Sequence, residues 1–158
     1  MPEKQITIKP AHEAERMAQP IIEQHHSHLV GARILFLLTT QERTRGLRTV
    51  LASAQKLPAL QKYLSSGGEH AVEEWHDFLI LISETEWNAL TREQRIALVD
   101  HELCHCWADP ETGAWQLRGH DVEEFADVIA RHGLWKQDVR TFGEVIRQLR
   151  LTELVGAR

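Results

Sequence analysis

The chain has 158 residues, of which 42% are apolar and 26% are charged, with a formal net charge of −5 at pH 7. This length and composition predict one globular domain over residues 1–158, with a core large enough to need no disulfide. The mild negative charge argues against a general nucleic-acid-binding surface, which needs an excess of basic residues. A local basic cluster at Arg43, Arg45 and Arg48 is expected to be a solvated loop.

Membrane and secretory segments are not expected. The first ten residues, MPEKQITIKP, lack the apolar stretch of a secretory signal, and no apolar run approaches the roughly 18 residues of a membrane helix. Cys104 and Cys106 lie two residues apart on a predicted helix, where they cannot form a well-shaped disulfide. Reduced cysteines are typical of a cytoplasmic protein. We expect Cys104 to be a small buried residue.

The hydrophobic pattern predicts a small α+β domain with a short sheet of three to four strands packed on helices. The N-terminal helix covers 11–30, the central part 30–136 and the C-terminal helix 138–151. Strands are predicted at 6–10, 32–40, 47–55 and 76–83, helices at 11–30, 58–64, 91–108, 121–133 and 138–151, and a loop at 65–70. Pro20 is expected to kink or divide the first helix.

The helix predicted from Arg92, which Pro110 stops, has a clear start signal. Thr91 followed by Gln94 has the form of a capping box. One apolar stripe follows at helical spacing and predicts the side that faces the core, with members Ile96, Val99, Leu103, Cys106 and Trp107.

The same helix carries the motif His-Glu-x-x-His at His101, Glu102 and His105. The two histidines are four residues apart, so they lie one turn above each other, away from the centre of the core stripe. In this geometry two imidazoles reach one Zn²⁺ ion, and the glutamate reaches a water on that ion without binding it. The motif therefore predicts a single zinc ion held by His101 and His105, with Glu102 as the general base.

A catalytic zinc site usually has a third protein ligand, and the sequence favours His120. Asp121 and Glu124 again have capping-box form, which gives the acidic residues of 121–124 a role at a helix start. His120 would then lie at a corner just before that helix.

A rival arrangement remains open. Glu123 and Asp127 are four residues apart, so on one helix face Glu123 could bind zinc while Asp127 orients a ligand histidine. Glu124 and Asp109 are further alternatives for the third ligand, and Asp121 is a second candidate for an orienting residue.

The segments HELCHCW and GHDVEEF resemble the SprT-like zinc peptidases, in which the third histidine lies in a Gly-His-x-x-Glu-Phe context. Here one extra residue precedes the Glu-Phe pair. The segments DFLILI, EW, ALVDHELCHC and HDVEEFADVIARHGLW are more closely similar to the "Putative phage metallopeptidase" family, over about residues 30–136. The resemblance implies a small zincin-like fold with a His-Glu-x-x-His active-site helix. It also implies a zinc-dependent peptidase of phage or prophage origin, acting on proteins or peptides in the cytoplasm of a bacterial host.

Two other functions are considered. A catalytically silent zinc-binding protein could bind a host protein, for example as an inhibitor of a defence protein. A zinc hydrolase could instead act on another amide, such as a cell-wall peptide. Glu102 favours the peptidase, since a structural zinc site needs no general base.

Two further features have open interpretations. The strand DFLILI could hold an extended substrate if it lies at a sheet edge, but its continuous apolar run favours a central position. The strand ILFLLTT has the same ambiguity. His25, His26 and His28 lie close together, and polar roles are favoured there over a second metal site.

Overall fold

The computed structural model describes residues 5–66 and 75–156, except the side chains at 154 and 155. The chain divides into two compact units, residues 1–118 and 119–158. Within the described residues, no helix combines the length and the apolar character that a membrane crossing requires. Positions 67–70 of the predicted loop lie outside the described residues.

The first unit contains eight described strands and four described helices. The strands are β1 (Ile8–Pro10), β2 (Ile34–Thr39), β3 (Thr44–Arg45), β4 (Arg48–Thr49), β5 (Ala52–Lys56), β6 (Phe78–Ser83), β7 (Cys106–Ala108) and β8 (Trp115–Leu117). The helices are α1 (His12–His25), α2 (Ala59–Ser65), α3 (Glu84–Ala89) and α4 (Arg92–His105), with a 3-10 turn at Ser27–Leu29.

Four of the strands form one mixed sheet in the order β1-β2-β6-β5. The inner strands β2 and β6 are parallel, with Ile34 opposite Phe78, while β1 and β5 are antiparallel to their neighbours on the outside. Two small hairpins, β3-β4 and β7-β8, each form a separate two-stranded sheet. The predicted α+β class with a short sheet is confirmed.

The core lies between one face of the sheet and the helices α1 and α4. Alternate residues of β6 point to this face, because strand side chains alternate sides. Phe78, Ile80 and Ile82 are all at most 1% exposed, and they belong to one apolar cluster with Ala14 of α1 and Leu103 of α4. The sheet therefore fixes the position of α4, the helix that carries the motif.

The start of α4 agrees with the prediction, whereas its end does not. Thr91 Oγ1 accepts a hydrogen bond from Gln94 N at 3.3 Å, and Gln94 Oε1 accepts one from Thr91 N at 2.9 Å, which completes the capping box. The helix ends at His105, five residues before Pro110, because Cys106 is extended and begins the strand β7, which pairs with β8. Trp107 therefore belongs to a hairpin and not to the helix.

The N-terminal helix is also shorter than predicted. α1 continues through Pro20 and ends at His25, and the 3-10 turn replaces the rest of the predicted span to residue 30. The predicted strand over 47–55 is two strands, β4 and β5, because the chain first closes the β3-β4 hairpin at Gly46, where φ is +61°.

The second unit contains α5 (Ala126–His132) and α6 (Gln137–Gly156). The predicted helix start at Asp121 is wrong: α5 begins after Phe125, and no side chain caps it. Glu124 instead accepts hydrogen bonds from Phe125 N at 2.9 Å and from Trp135 Nε1 at 3.1 Å. Glu124 is thus committed to contacts within its own unit, and the Asp121–Glu124 capping box does not form. α5 ends at His132 with Gly133 as its C-cap, in agreement with the predicted stop at Gly133.

Candidate metal centre

His101 and His105 project from the last turn and a half of α4. Their ring centroids are 5.1 Å apart and the ring planes meet at 75°. His101 is exposed and His105 is half-buried. The i, i+4 spacing therefore brings two imidazoles together at the surface of the first unit, as two ligands of one ion require.

The orientation of His105 is fixed by the end of β8. Nδ1 of His105 lies 2.6 Å from the carbonyl oxygen of Arg118, and Arg118 N donates to His105 O at 2.8 Å. A carbonyl oxygen only accepts, so Nδ1 carries a proton, and the nitrogen left to bind a metal ion is Nε2. Metal-binding histidines in proteins usually donate their second nitrogen in this way, and this contact fits a metal ligand.

Glu102 is the one buried acidic residue among those described, with 4% exposure. One of its carboxylate oxygens accepts a hydrogen bond from the backbone N–H of Ala54, on the edge strand β5. The other oxygen, Oε2, is buried and accepts no hydrogen bond from the described residues. Buried polar atoms normally have a partner, so Oε2 fits a position that contacts a water or another small polar group.

Burial raises the pKa of the Glu102 carboxyl above its ordinary value. The charge of His105, the N–H of Ala54 and the charge of Arg43 act in the opposite direction without cancelling this effect. A general base needs such a raised pKa, because a carboxylate with an ordinary pKa accepts protons poorly near neutral pH.

Arg43 is a neighbour of this carboxylate that sequence reasoning missed. Its guanidinium donates to Ser53 Oγ at 2.5 Å and to Leu81 O at 2.7 Å, and burial lowers its pKa. Arg45 and Arg48 are exposed, as expected for a solvated loop, but Arg43 is half-buried. No sequence signal separates the three arginines, because the difference arises from the strand order of the sheet.

The edge of the sheet beside Glu102 belongs to β5. The strands DFLILI and ILFLLTT form β6 and β2, and both are inner strands, so neither can hold a substrate by edge pairing. Leu57 N donates to Asp77 O, and Ser83 N donates to Leu51 O. Hydrogen-bonded positions alternate along an antiparallel strand, so the odd-numbered residues of β5 are the ones whose backbone groups bond to β6. The backbone groups of Ala52 and Ala54 therefore point away from β6.

The remaining candidates lie on loops or in the second unit. Asp109 accepts hydrogen bonds from Glu111 N and Thr112 N with Oδ1 and from Gln116 Nε2 with Oδ2, so it stabilises the β7-β8 turn. His120 is exposed at the start of the second unit, two residues after Arg118.

The acidic candidates of the second unit are mostly exposed. Asp121, Glu123 and Asp127 are exposed, and only Asp127 lies within α5. Glu123 and Asp127 therefore do not share a helix, contrary to the premise of the rival arrangement.

The chain matches the family model described as "Putative phage metallopeptidase" over residues 6–149, which is most of its length. No curated protein and no solved structure gives a significant match. The family supports a metallopeptidase function in general and implies a metal ion and protein or peptide substrates. The motif helix, the paired imidazoles and the buried glutamate are in keeping with that function, and the chain belongs to the "Putative phage metallopeptidase" family.

Proposed function

We propose that the protein is a zinc-dependent peptidase in which Glu102 acts as the general base. The observation that carries this proposal is the buried carboxylate of Glu102. In sequence this residue lies between His101 and His105, whose rings are paired. Its Oε2 atom accepts no hydrogen bond from the described residues. A carboxylate buried without a full set of partners destabilises the fold. A catalytic role therefore explains the presence of this carboxylate better than a contribution to the stability of the fold.

His101 and His105 would hold the ion, and His120 is proposed as the third ligand. Arg118, whose carbonyl accepts the hydrogen bond from His105, is only two residues before His120. Two residues of extended chain span at most about 7 Å, so covalent connection alone keeps His120 near His105. Glu124 is a weaker alternative, since both of its oxygens already accept hydrogen bonds. Glu123 remains the main alternative.

The residues that support these ligands are also proposed. Arg118 fixes the ring of His105 through its carbonyl oxygen. Asp121 follows His120 directly and is a candidate for orienting that imidazole, and Asp127 stays a second candidate.

When bound, a zinc ion would lower the pKa of a coordinated water to about 7 and would polarise the scissile carbonyl. Glu102 takes a proton from the attacking water through Oε2 and passes it to the leaving amine. The N–H of Ala54 contacts the carboxylate, and Oε2, which accepts no hydrogen bond from the described residues, is left for this role. The burial that raises the pKa of Glu102 also strengthens its basicity in this step.

We also propose that an extended peptide substrate pairs with the outer side of β5. The outward backbone groups of Ala52 lie on the same strand as the N–H that contacts Glu102. Main-chain pairing at a strand edge binds peptides with little dependence on their side chains. A substrate held there would run past the general base.

The experiment compares the wild type with Glu102→Gln in zinc content and in cleavage of an unfolded protein. Glu93→Gln is the matched control, because Glu93 is an exposed glutamate in the first turn of the same helix. We expect Glu102→Gln to keep its zinc and to lose cleavage by about 10²- to 10⁴-fold, the usual contribution of a general base. Glu93→Gln should behave as the wild type. If all three proteins, including the wild type, bound zinc and none of them cleaved, the result would instead support the catalytically silent zinc-binding protein.

A further inference from the structure

A second group of metal-binding side chains involves a neighbouring face of α4. His26, Asp100 and Cys104 each offer one ligand atom, and these three atoms all lie within 4.8 Å of one another. All three residues belong to the first unit. We propose that this group is a second binding site for a thiophilic divalent cation such as Zn²⁺, separate from the His101–His105 pair.

The helix geometry explains why two sites can exist side by side. Asp100 and Cys104 are four residues apart, as His101 and His105 are, so each pair occupies two adjacent turns of α4. The two pairs differ by one residue, which rotates them by about 100° around the helix axis. One pair therefore meets the surface beside β8, and the other meets the chain that follows α1.

His26 is held in place before any ion binds. Its backbone N–H donates to Ile22 O at 3.0 Å, and its carbonyl accepts from Leu29 N at 2.8 Å. Its side chain is only 8% exposed, and Nε2 lies 2.7 Å from Asp100 Oδ1. The ring of His28 lies edge-on to His26 with centroids 5.8 Å apart. A buried imidazole fixed on several sides is a pre-organised ligand, because little further ordering is needed on binding.

The donor chemistry and the charge fit a zinc ion. Thiolate, imidazole and carboxylate are the three side-chain types that bind Zn²⁺, with bonds of about 2.0–2.3 Å. Tetrahedral angles with these bonds separate the ligand atoms by about 3.3–3.8 Å. Atoms at the 4.8 Å upper bound would therefore move together by about 1.0–1.5 Å, and His26 Nε2 and Asp100 Oδ1, which are 2.7 Å apart, would move slightly apart. The thiolate of Cys104 and the carboxylate of Asp100 together balance the two positive charges, and the thiol proton is released to solvent.

The site is also reachable. Cys104 is exposed, contrary to the sequence expectation of a small buried residue, and the side chain of Asp100 is 46% exposed. An ion can therefore enter from solvent, and a water can complete the fourth position. The other members of the sequence cluster take no part: His25 is exposed at the end of α1, and His28 donates to Cys106 O at 3.2 Å.

Cobalt(II) titration of the full-length protein tests the proposal, because only a thiolate ligand produces the thiolate-to-cobalt charge-transfer absorption in the near ultraviolet. The His101–His105 pair offers no sulfur, so this band reports the second site alone. We expect the wild type to develop the band, Cys104→Ser to lose it, and His26→Ala to lose it or to need at least about tenfold more cobalt. The double variant His101→Ala/His105→Ala should keep the band, which separates this proposal from the proposed peptidase function.

The control is Cys106→Ala, since Cys106 is buried and burial raises the pKa of its thiol to about 12. This variant should keep the band. If it does not fold, the wild type provides a second measurement: saturating Zn²⁺ should slow the reaction of the exposed Cys104 with a disulfide reagent by at least about tenfold. Absence of the band in the wild type would overturn the proposal. Its survival in Cys104→Ser, its loss in the double variant, or unchanged thiol reactivity with zinc would also overturn it.

Discussion

The backbone N–H of Ala54 on β5 donates a hydrogen bond to the buried carboxylate of Glu102 on α4. This contact joins the outer edge of the sheet to the motif helix. It satisfies one carboxylate oxygen, while the other, Oε2, is buried and accepts no hydrogen bond from the described residues. The contact also lowers the pKa of Glu102, against the larger effect of burial.

Loss of this contact should raise the pKa of Glu102. Ala54→Pro removes the N–H without removing a bond to β6, because the N–H points outward. We expect the pKa of Glu102, measured from the carboxylate ¹³C shift in metal-free protein, to rise relative to the wild type. Ala52→Pro is the control, since its N–H also points outward and does not contact Glu102. Equal pKa values for Glu102 in all three proteins would contradict the role given to Ala54.

Glu102→Gln should stabilise the metal-free protein at neutral pH. Because burial raises the pKa of Glu102 in the fold, its ionisation is harder in the folded state than in the unfolded state. Wild-type stability should fall as the pH rises from the unfolded pKa, about 4.3, through the higher folded pKa.

Glutamine does not ionise, so the variant does not lose stability as the pH rises. Its free energy of unfolding in urea should therefore exceed the wild-type value at pH 7. At a pH below about 4 the two values should converge. A lower free energy of unfolding for the variant at pH 7 would show that the ionised carboxylate is well accommodated in the fold.

The capping box of α4 should contribute measurably to stability. Thr91→Ala removes the hydroxyl that accepts from Gln94 N, and loss of such a cap typically costs about 1 kcal/mol. A fall of this size in the free energy of unfolding should be visible in chemical denaturation. Thr91→Ser keeps the hydroxyl and should remain close to the wild type. Equal losses in both variants would mean that the threonine methyl, and not the cap, is responsible.

The third ligand can be identified by zinc affinity. If His120 binds the ion, His120→Ala should weaken zinc binding by more than the 10- to 100-fold typical of outer-shell changes. Glu123→Ala should then change affinity little. Competition with a chromogenic chelator measures both variants, in a Cys104→Ser background that removes the proposed second site. The opposite ranking would assign the ligand to Glu123.

The sequence predicted those features that depend on neighbouring residues. The start of α4 could be predicted because Thr91 and Gln94, three residues apart, form a hydrogen-bonded capping box. The continuous apolar runs of β2 and β6 indicated buried strands, and both strands are in the centre of the sheet. These signals depend on residues close together in the sequence, so they can be recognised from one sequence alone.

The errors arose where distant segments compete with a local pattern. Cys106 and Trp107 fit the apolar stripe of a helix, but pairing with Leu117 and Gln116 draws them into β7. Glu124 fits a capping box, but its contact with Trp135 replaces that role. The contact of Ala54 with Glu102 was also beyond prediction, because it depends on which strand lies at the sheet edge.

The parallel pairing of β2 with β6 also governs how the chain can fold as it leaves the ribosome. Ile34 meets Phe78 only after the whole intervening segment has been synthesised, so the apolar β2 must wait without its main partner. Parallel pairs between distant segments form slowly, because a long loop closes before any contact stabilises it. A nascent chain of this protein should therefore leave the β6-facing edge of β2 unpaired until β6 has emerged.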